Sequence, residues 1–348
     1  MIFLDPVSAL SNPGSLLSHD EQIVASYDLE VTDAPVDTYR ALSTVSAIRN
    51  ANITPFKMDY SGVTHVHVVN GMGVTLGDSI MGLTALAAIK KRHPSLSFTI
   101  YRPNQAPTYV KQLYELAAPV FGSVVDLPVP LASLPKDEPQ LDIGNHLFWK
   151  NFASMPMIDF FLWALGIEPG DIKPQDKSND WLKQAAVPAL KGTWAPQEYV
   201  LLCPTASTPV RSIPDSFRVE AADRLWEKFH LPVLGFGAIA HDHYTDITSL
   251  SPDTAHFLAW VKNARFLVTS DTAAVHIAAG FDVPTAAFFT TIPADMRVRD
   301  YRHCTFVDLD LPELQGMHAS GRAHDLEAVD HAYAGLKTTK WAERMLIG

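Results

Sequence analysis

Three short segments hold residue types whose spacing suits chemistry on a phosphorylated ligand. SDTAAVH (270–276) follows RFLVTS (265–270), an apolar run with the composition of a strand. Ser270 and Asp271 are good capping types, and a helix opening there presents the amides of Thr272, Ala273 and Ala274. A helix start at a strand end attracts anions, because orphan N–H donors and the helix dipole act together. The small side chains of Ala273 and Ala274 let a phosphate come close. The plainer alternative is an ordinary capped helix with His276 against the sheet, and spacing alone favours it.

CPTASTPVRSIP (203–214) is the second segment, rich in Ser, Thr and Pro, with Arg211 as its one cation. A guanidinium can grip a phosphate through two parallel hydrogen bonds. The alternative is a surface loop with a solvated Arg. The third segment is GMGVTLGD (71–78). Its spacing, G-x-G-x-x-x-G, is looser than a dinucleotide fingerprint, and no acidic residue ends the next strand, LSFTIYRP (96–103). That strand ends in Arg102, which would suit a 2′-phosphate. Asp78 is the more informative residue, since a strand–helix turn would hold its carboxylate at a strand end; the alternative is a helix N-cap.

Other clusters carry less. His241, His243 and Asp246 are metal-binding types, but no partner completes a ligand set of recognised spacing, so a polar loop is expected and no metal site is assigned. His65 and His67 alternate along a strand and are expected on one side of it. A Ser-His-Asp hydrolase lacks its G-x-S-x-G elbow. DFFLWALG (159–166) reads as core.

The elements that must position these residues alternate. VTHVHVVN (63–70) is a strand, 78–94 a helix ending in Lys90, Lys91 and Arg92, 96–103 a strand, 106–119 a helix and 123–130 a strand. Helices are expected near 155–166 and 179–191. After the turn-rich 192–198 the alternation restarts: strands at 198–204, 231–237, 265–270, 284–290 and 303–309, with helices at 215–230, 254–264 (capped by Asp253) and 272–281. Strand–helix–strand succession with short connections predicts α/β domains with parallel, doubly wound sheets. The expected division is an N-terminal elaboration over 1–60 with a short helix near Thr38–Arg49, domains over 61–192 and 193–324, and a C-terminal helix over 325–348 packing back across both. In such sheets ligands sit beyond the C-terminal strand ends.

Composition narrows the classes. The 348 residues are 47% hydrophobic and 19% charged, which fits a globular chain and excludes a disordered one. The net charge of −11 and an acidic excess in both halves argue against a nucleic-acid partner. Cys203 and Cys304 alone cannot build a disulfide framework, and both are expected to be reduced. No window approaches the roughly 20 apolar residues of a membrane span, and no basic leader is visible. A cytoplasmic chain is expected, with peripheral contact at the inner face of a membrane left open.

Taken in order, GD before an apolar helix ending KKRHP, then PTAS…RSIP, then SDTAAVHIAAGFDVPTAAFF, resemble the heptosyltransferase family (glycosyltransferase family 9), with FLWALGIEP (161–169) similar to its inter-domain stretch. The likeness covers roughly residues 65–295. It implies two Rossmann-like domains facing across a cleft, the GT-B arrangement. It further implies inverting, metal-independent transfer from a nucleotide sugar, with no cofactor. Asp78 takes the place of the family's catalytic base. Thr205, Ser207, Arg211, Asp271, Thr272, Ala273, Ala274 and His276 fall at donor positions, and Gly77 and Arg102 on the acceptor side. The family usually has Gly where this chain has Ala273, whose methyl narrows the approach. On family grounds ADP-heptose is the expected donor; lipopolysaccharide, another glycan or a protein side chain are the acceptors left open. Two rivals belong to other classes. An NADP-dependent oxidoreductase would use GMGVTLG and Arg102, and a non-catalytic sugar-nucleotide-binding protein would keep the fold without turnover.

Overall fold

A computed structural model describes residues 3–35, 38–195 and 197–347. The chain forms two units, residues 1–177 and 178–348. The division therefore falls ahead of the 192/193 boundary expected from the turn-rich segment.

Unit 1 runs α1 (Pro6–Leu10), β1 (Leu16–Ser18), β2 (Gln22–Val24), α2 (Ser26–Thr32), β3 (Tyr39–Ala41), β4 (Ile48–Arg49), β5 (His65–Val69), α3 (Leu76–Arg92), β6 (Ser97–Arg102), α4 (Thr108–Phe121), β7 (Gly122–Asp126), β8 (Val129–Pro130), β9 (Gln140–Asp142) and α5 (Met157–Ala164). Its main sheet is parallel, in the order β4-β9-β5-β6-β7. Strand order reverses between β5 and β9, so that is where the loops beyond the strand ends part to make a crevice. α3 is apolar on most sides because it lies between α4 and α5, burying Ile80, Leu83, Leu86 and Ile89.

Residues 1–60 are part of this unit rather than an appendage. β4 extends the parallel sheet, while β3-β1-β2-β8 form a second, antiparallel one. Leu17, Ile23 and Leu42 pack with Val69 and Tyr101 of the main sheet. The short helix expected near Thr38–Arg49 is a strand, a 3₁₀ turn and a strand instead. Sheet partners on both sides decided this against a weak helical pattern.

Unit 2 runs β10 (Val200–Cys203), α6 (Asp215–Phe229), β11 (Val233–Gly235), β12 (Tyr244–Asp246), α7 (Thr254–Lys262), β13 (Phe266–Ser270), α8 (Ala273–Gly280), β14 (Thr285–Phe289), α9 (Asp295–Val298), β15 (Cys304–Asp308), α10 (Ala323–Leu336) and α11 (Trp341–Met345). All six strands are parallel in the order β12-β11-β10-β13-β14-β15, the doubly wound succession 3-2-1-4-5-6. The reversal lies between β10 and β13. Asp253 caps α7 as expected, its carboxylate accepting from His256 N.

Two expectations are corrected here. The helix expected over 179–191 is only a 3₁₀ turn, Asp180–Gln184, whose Trp181 and Leu182 are buried while Asn179 donates to the His276 carbonyl at 2.9 Å. Pro188 keeps the following chain from continuing a helix. The C-terminal segment is two helices, and its apolar residues belong to the core of unit 2: Tyr333 and Trp341 pack on Phe217 and Phe288. Replacing Trp341, which is 1% exposed, with Ala should cost about 3–5 kcal/mol. Denaturant melts should show a correspondingly lower midpoint. A loss under about 1 kcal/mol would mean that α11 is not part of this core.

Candidate active site

The β5 strand ends in a strained turn. Asn70 (φ 50°), Met72 (φ 69°) and Gly73 (φ 69°) all lie in the left-handed region. Asn and Gly tolerate that conformation, but Met does so rarely, and such strain concentrates at functional sites. Arg102, at the end of the neighbouring β6, holds the turn by donating to the carbonyls of Gly71 and Gly73, the second at 2.6 Å. Its guanidinium stacks 4.1 Å above the Tyr114 ring, and the residue is only 3% exposed. Arg102 thus braces the glycine turn, its guanidinium aimed at two carbonyls rather than at the space where an acceptor or a 2′-phosphate was expected. The NADP reading loses its cation.

Beyond the turn, Thr75 caps α3 by accepting from Asp78 N at 3.3 Å. Asp78 therefore lies in the first turn, one turn inside the cap, beside a half-buried Gly77. Its Oδ2 sits 3.6 Å from His146 Nε2. A Cβ on Gly73 would lie 2.7 Å from the His146 ring and 3.1 Å from that carboxylate oxygen. The second glycine of GMG is thus explained by clearance for the Asp78–His146 pair, not by a phosphate.

Sequence reasoning missed His146. It stands four residues beyond β9, in a 3₁₀ turn, and only the pairing of β9 with β5 brings it to Asp78. The ring is 2% exposed and caged by Phe152, Phe160 and Phe161, with centroids 4.7–5.9 Å away. Its Nε2 has no hydrogen-bond partner among the described residues. The N-terminal segment holds the loop in place. Asn145 donates to the carbonyls of Leu10 and Asn12, both at 2.9 Å. The buried Asp142 carboxylate accepts from Ser15 N, Ser15 Oγ and Gly144 N. Burial pushes that carboxyl up, and the donated hydrogen bonds oppose the shift.

Unit 2 assembles the second group at its own reversal point. The ends of β10 and β13 pair directly, and Thr269 Oγ1 donates to the Cys203 carbonyl at 2.9 Å. That hydroxyl proton being spent, Thr272 Oγ1 donates to Thr269 Oγ1 and accepts from Ala274 N at 3.1 Å, capping α8. Thr272, not Ser270 or Asp271, is the cap residue. The Ala274 amide is taken by this cap and the Thr272 amide by the Ser270 carbonyl, whereas no described group accepts from the Ala273 amide.

Arg211 reaches across from the β10 loop. Its Nε donates to Asp271 Oδ2 at 3.0 Å, one terminal nitrogen to the Asp271 carbonyl at 2.7 Å, and the other to Ser207 Oγ at 3.2 Å. A guanidinium has five N–H donors. One is left over on each terminal nitrogen. Thr205 is exposed on the same loop. His318, also missed from sequence, lies beside this group. Its Nδ1 pairs with Thr291 Oγ1 at 3.0 Å, and its carbonyl accepts from Thr208 Oγ1 at 2.6 Å. Burial, then Arg297 and Arg211, hold its pKa below the ordinary histidine value.

His276 is not part of that group. It is 2% exposed, with Nδ1 2.8 Å from the Tyr301 hydroxyl, so it anchors α8 from inside, away from the donor position expected for it. The histidines of 241–246 form no metal set: His241 pairs with Asp223 and His243 stacks on Trp226. A pocket lined by Lys183, Asp282, Arg302 and Cys304 lies at the N-terminal ends of β14 and β15, opposite these loops.

No protein-family model matches the chain, and no curated protein matches its sequence. Solved structures do. The fold is that of the heptosyltransferases. Dodecameric, iron-containing TibC, from enterotoxigenic Escherichia coli and solved with ADP-D-β-D-heptose, superposes with a TM-score of 0.52 at 10% identity. That superposition covers 84% of this chain and 78% of TibC. A glycosyltransferase of family 9 from Veillonella parvula matches at 12% identity and TM-score 0.49, over 82% of this chain and 98% of that one. The E. coli ADP-heptose lipopolysaccharide heptosyltransferase II matches at 13% and 0.48, over 79% and 100%. No described helix is long and apolar enough to cross a membrane.

Proposed function

We propose that this protein is an inverting glycosyltransferase that moves a sugar from a nucleotide sugar, with ADP-heptose the favoured donor, to a hydroxyl of a glycan or lipopolysaccharide. The observation that carries this reading is the Arg211 group at the β10/β13 reversal, with two N–H donors to spare beside the open Ala273 amide. A nucleoside diphosphate leaves readily once its developing charge is stabilised. Arg211 and the start of α8 supply that charge, so the transfer step as proposed uses no metal. Asp78 takes the proton of the acceptor hydroxyl as that oxygen attacks the anomeric carbon. His146 keeps Asp78 Oδ2 aimed by occupying the space beside it.

The acceptor is assigned to unit 1 and the donor to unit 2. Thermal shift with ADP, UDP, GDP and NADP tests the donor assignment. Nucleoside diphosphates should stabilise the protein, by about 2.7 kcal/mol at a hundredfold excess over Kd, with ADP the strongest. Stabilisation by NADP alone would overturn the reading. Nucleotide binding without sugar transfer to any glycan or lipopolysaccharide acceptor would favour a non-catalytic binding protein.

A further inference from the structure

We propose that His65, His67 and Glu138 form a binding site for a divalent cation of the zinc type, separate from the sugar-transfer residues. Alternation along β5 puts both imidazoles on one face of the sheet, ring centroids 4.9 Å apart. Pairing of β5 with β9 brings in the third group: His67 lies opposite Gln140, its amide donates to the Pro139 carbonyl, and Glu138 comes next. His67 Nε2 and Glu138 Oε2 are 2.6 Å apart, and one ligand atom from each of the three residues falls within a 4.8 Å cluster.

The hydrogen bonds behind the rings match what a metal needs. Ser97 Oγ spends its proton on the Thr64 carbonyl, so it accepts from His65 Nδ1 at 2.7 Å. That fixes the tautomer and leaves the lone pair on His65 Nε2, which accepts from Thr99 Oγ1 at 2.9 Å, a hydrogen bond that a metal would replace. His67 Nδ1 is 2.9 Å from the Tyr101 hydroxyl, which can accept from it once Nε2 turns to a metal. Each ring is thus oriented through Nδ1 by a hydroxyl, with Nε2 on the cluster side, the outer-sphere pattern of metal-bound histidines.

Two imidazoles and one carboxylate suit zinc with a fourth position for water. Glu138, whose side chain is 34% exposed, leaves a path of entry. The cluster lies at the start of β5, while Asp78 follows its end, so a cation here would tie β5 to the segment before β9 without touching the transfer chemistry. On binding, the present Glu138–His67 hydrogen bond gives way and the ring's proton moves from Nε2 to Nδ1, where the Tyr101 hydroxyl accepts it.

The test is a Zn²⁺ titration of the full chain after chelator treatment, read by bound metal per chain and by melting temperature. One equivalent should bind and raise the melting temperature. Glu138→Gln and His65→Gln, both at partly exposed positions, should weaken binding about tenfold or more. His241→Ala should leave binding unchanged and so excludes the other histidine cluster. Failure of the wild type to retain zinc, or equal retention by Glu138→Gln and His65→Gln, would overturn the site. These readouts do not depend on turnover, so the glycosyltransferase reading stands or falls separately.

Discussion

Asp78→Asn should lower sugar transfer by about 10²–10⁴-fold while ADP binds as before. The substitution keeps the side-chain size, and Thr75 still caps α3 through the residue's amide, so folding is not the cause of the loss. What disappears is the acceptor of the hydroxyl proton. Donor affinity should hold because Arg211 and the start of α8 belong to unit 2. His146→Ala belongs in the same experiment. It opens space beside Asp78 Oδ2, so kcat should fall with little change in the KM for donor. In Asp78→Asn the second substitution should add little further loss, since two residues acting as one unit are not additive. Full turnover by Asp78→Asn would remove the proposed base, and additive losses would separate His146 from it.

Arg211→Ala should weaken ADP binding about 10–100-fold, the scale of a charge-assisted pair of hydrogen bonds. It should also destabilise the fold, because Asp271 is 2% exposed and loses its cation. A buried charge left alone costs about 3–5 kcal/mol, and the 20% exposure of the Arg211 side chain places this case towards the lower end. Arg211→Lys separates the two effects. An ammonium still neutralises Asp271 but cannot bond Asp271 and Ser207 while gripping a phosphate with a second fork. Stability should largely return and affinity should not. Calorimetric titration with ADP beside thermal melts reads both. Wild-type affinity in Arg211→Ala would move the donor site elsewhere.

Much of the fold was legible because its strands are buried β-branched runs and its helices have clear ends. Most strands and helices from 63 to 126 and from 198 to 308 fall within a few residues of their expected places, but β12 stands where a polar loop was expected and α9 was not foreseen. The failures share a cause. Residues 38–49 and 179–191 have weak patterns, and partners far along the chain settled them: a neighbouring strand in one case, the His276 carbonyl and a buried Trp181 in the other. Local propensity is a weak prior wherever such tertiary contacts compete with it.

Residue type and position after a strand nominated Asp78, Arg211 and the start of α8, and the family resemblance added Ser207. They could not say what the side chains do. Arg102 and His276 have the right types and stand at strand ends, yet both are turned inward, one onto two carbonyls and the other onto a tyrosine. His146 and His318 carry no local signal at all, since each reaches its site from a loop remote in sequence.

What the amino-acid order settled alone was the alternation of elements, the parallel sheets and the loops in which polar groups would gather. Periodicity and capping are local properties, each readable within one turn or one strand. Which side chains face each other was left to the sheets, because the β5–β9 pair joins residues 73 positions apart, as His67 opposite Gln140 shows. That distance is why Glu138 meets His67 and why His146 comes to lie beside Asp78.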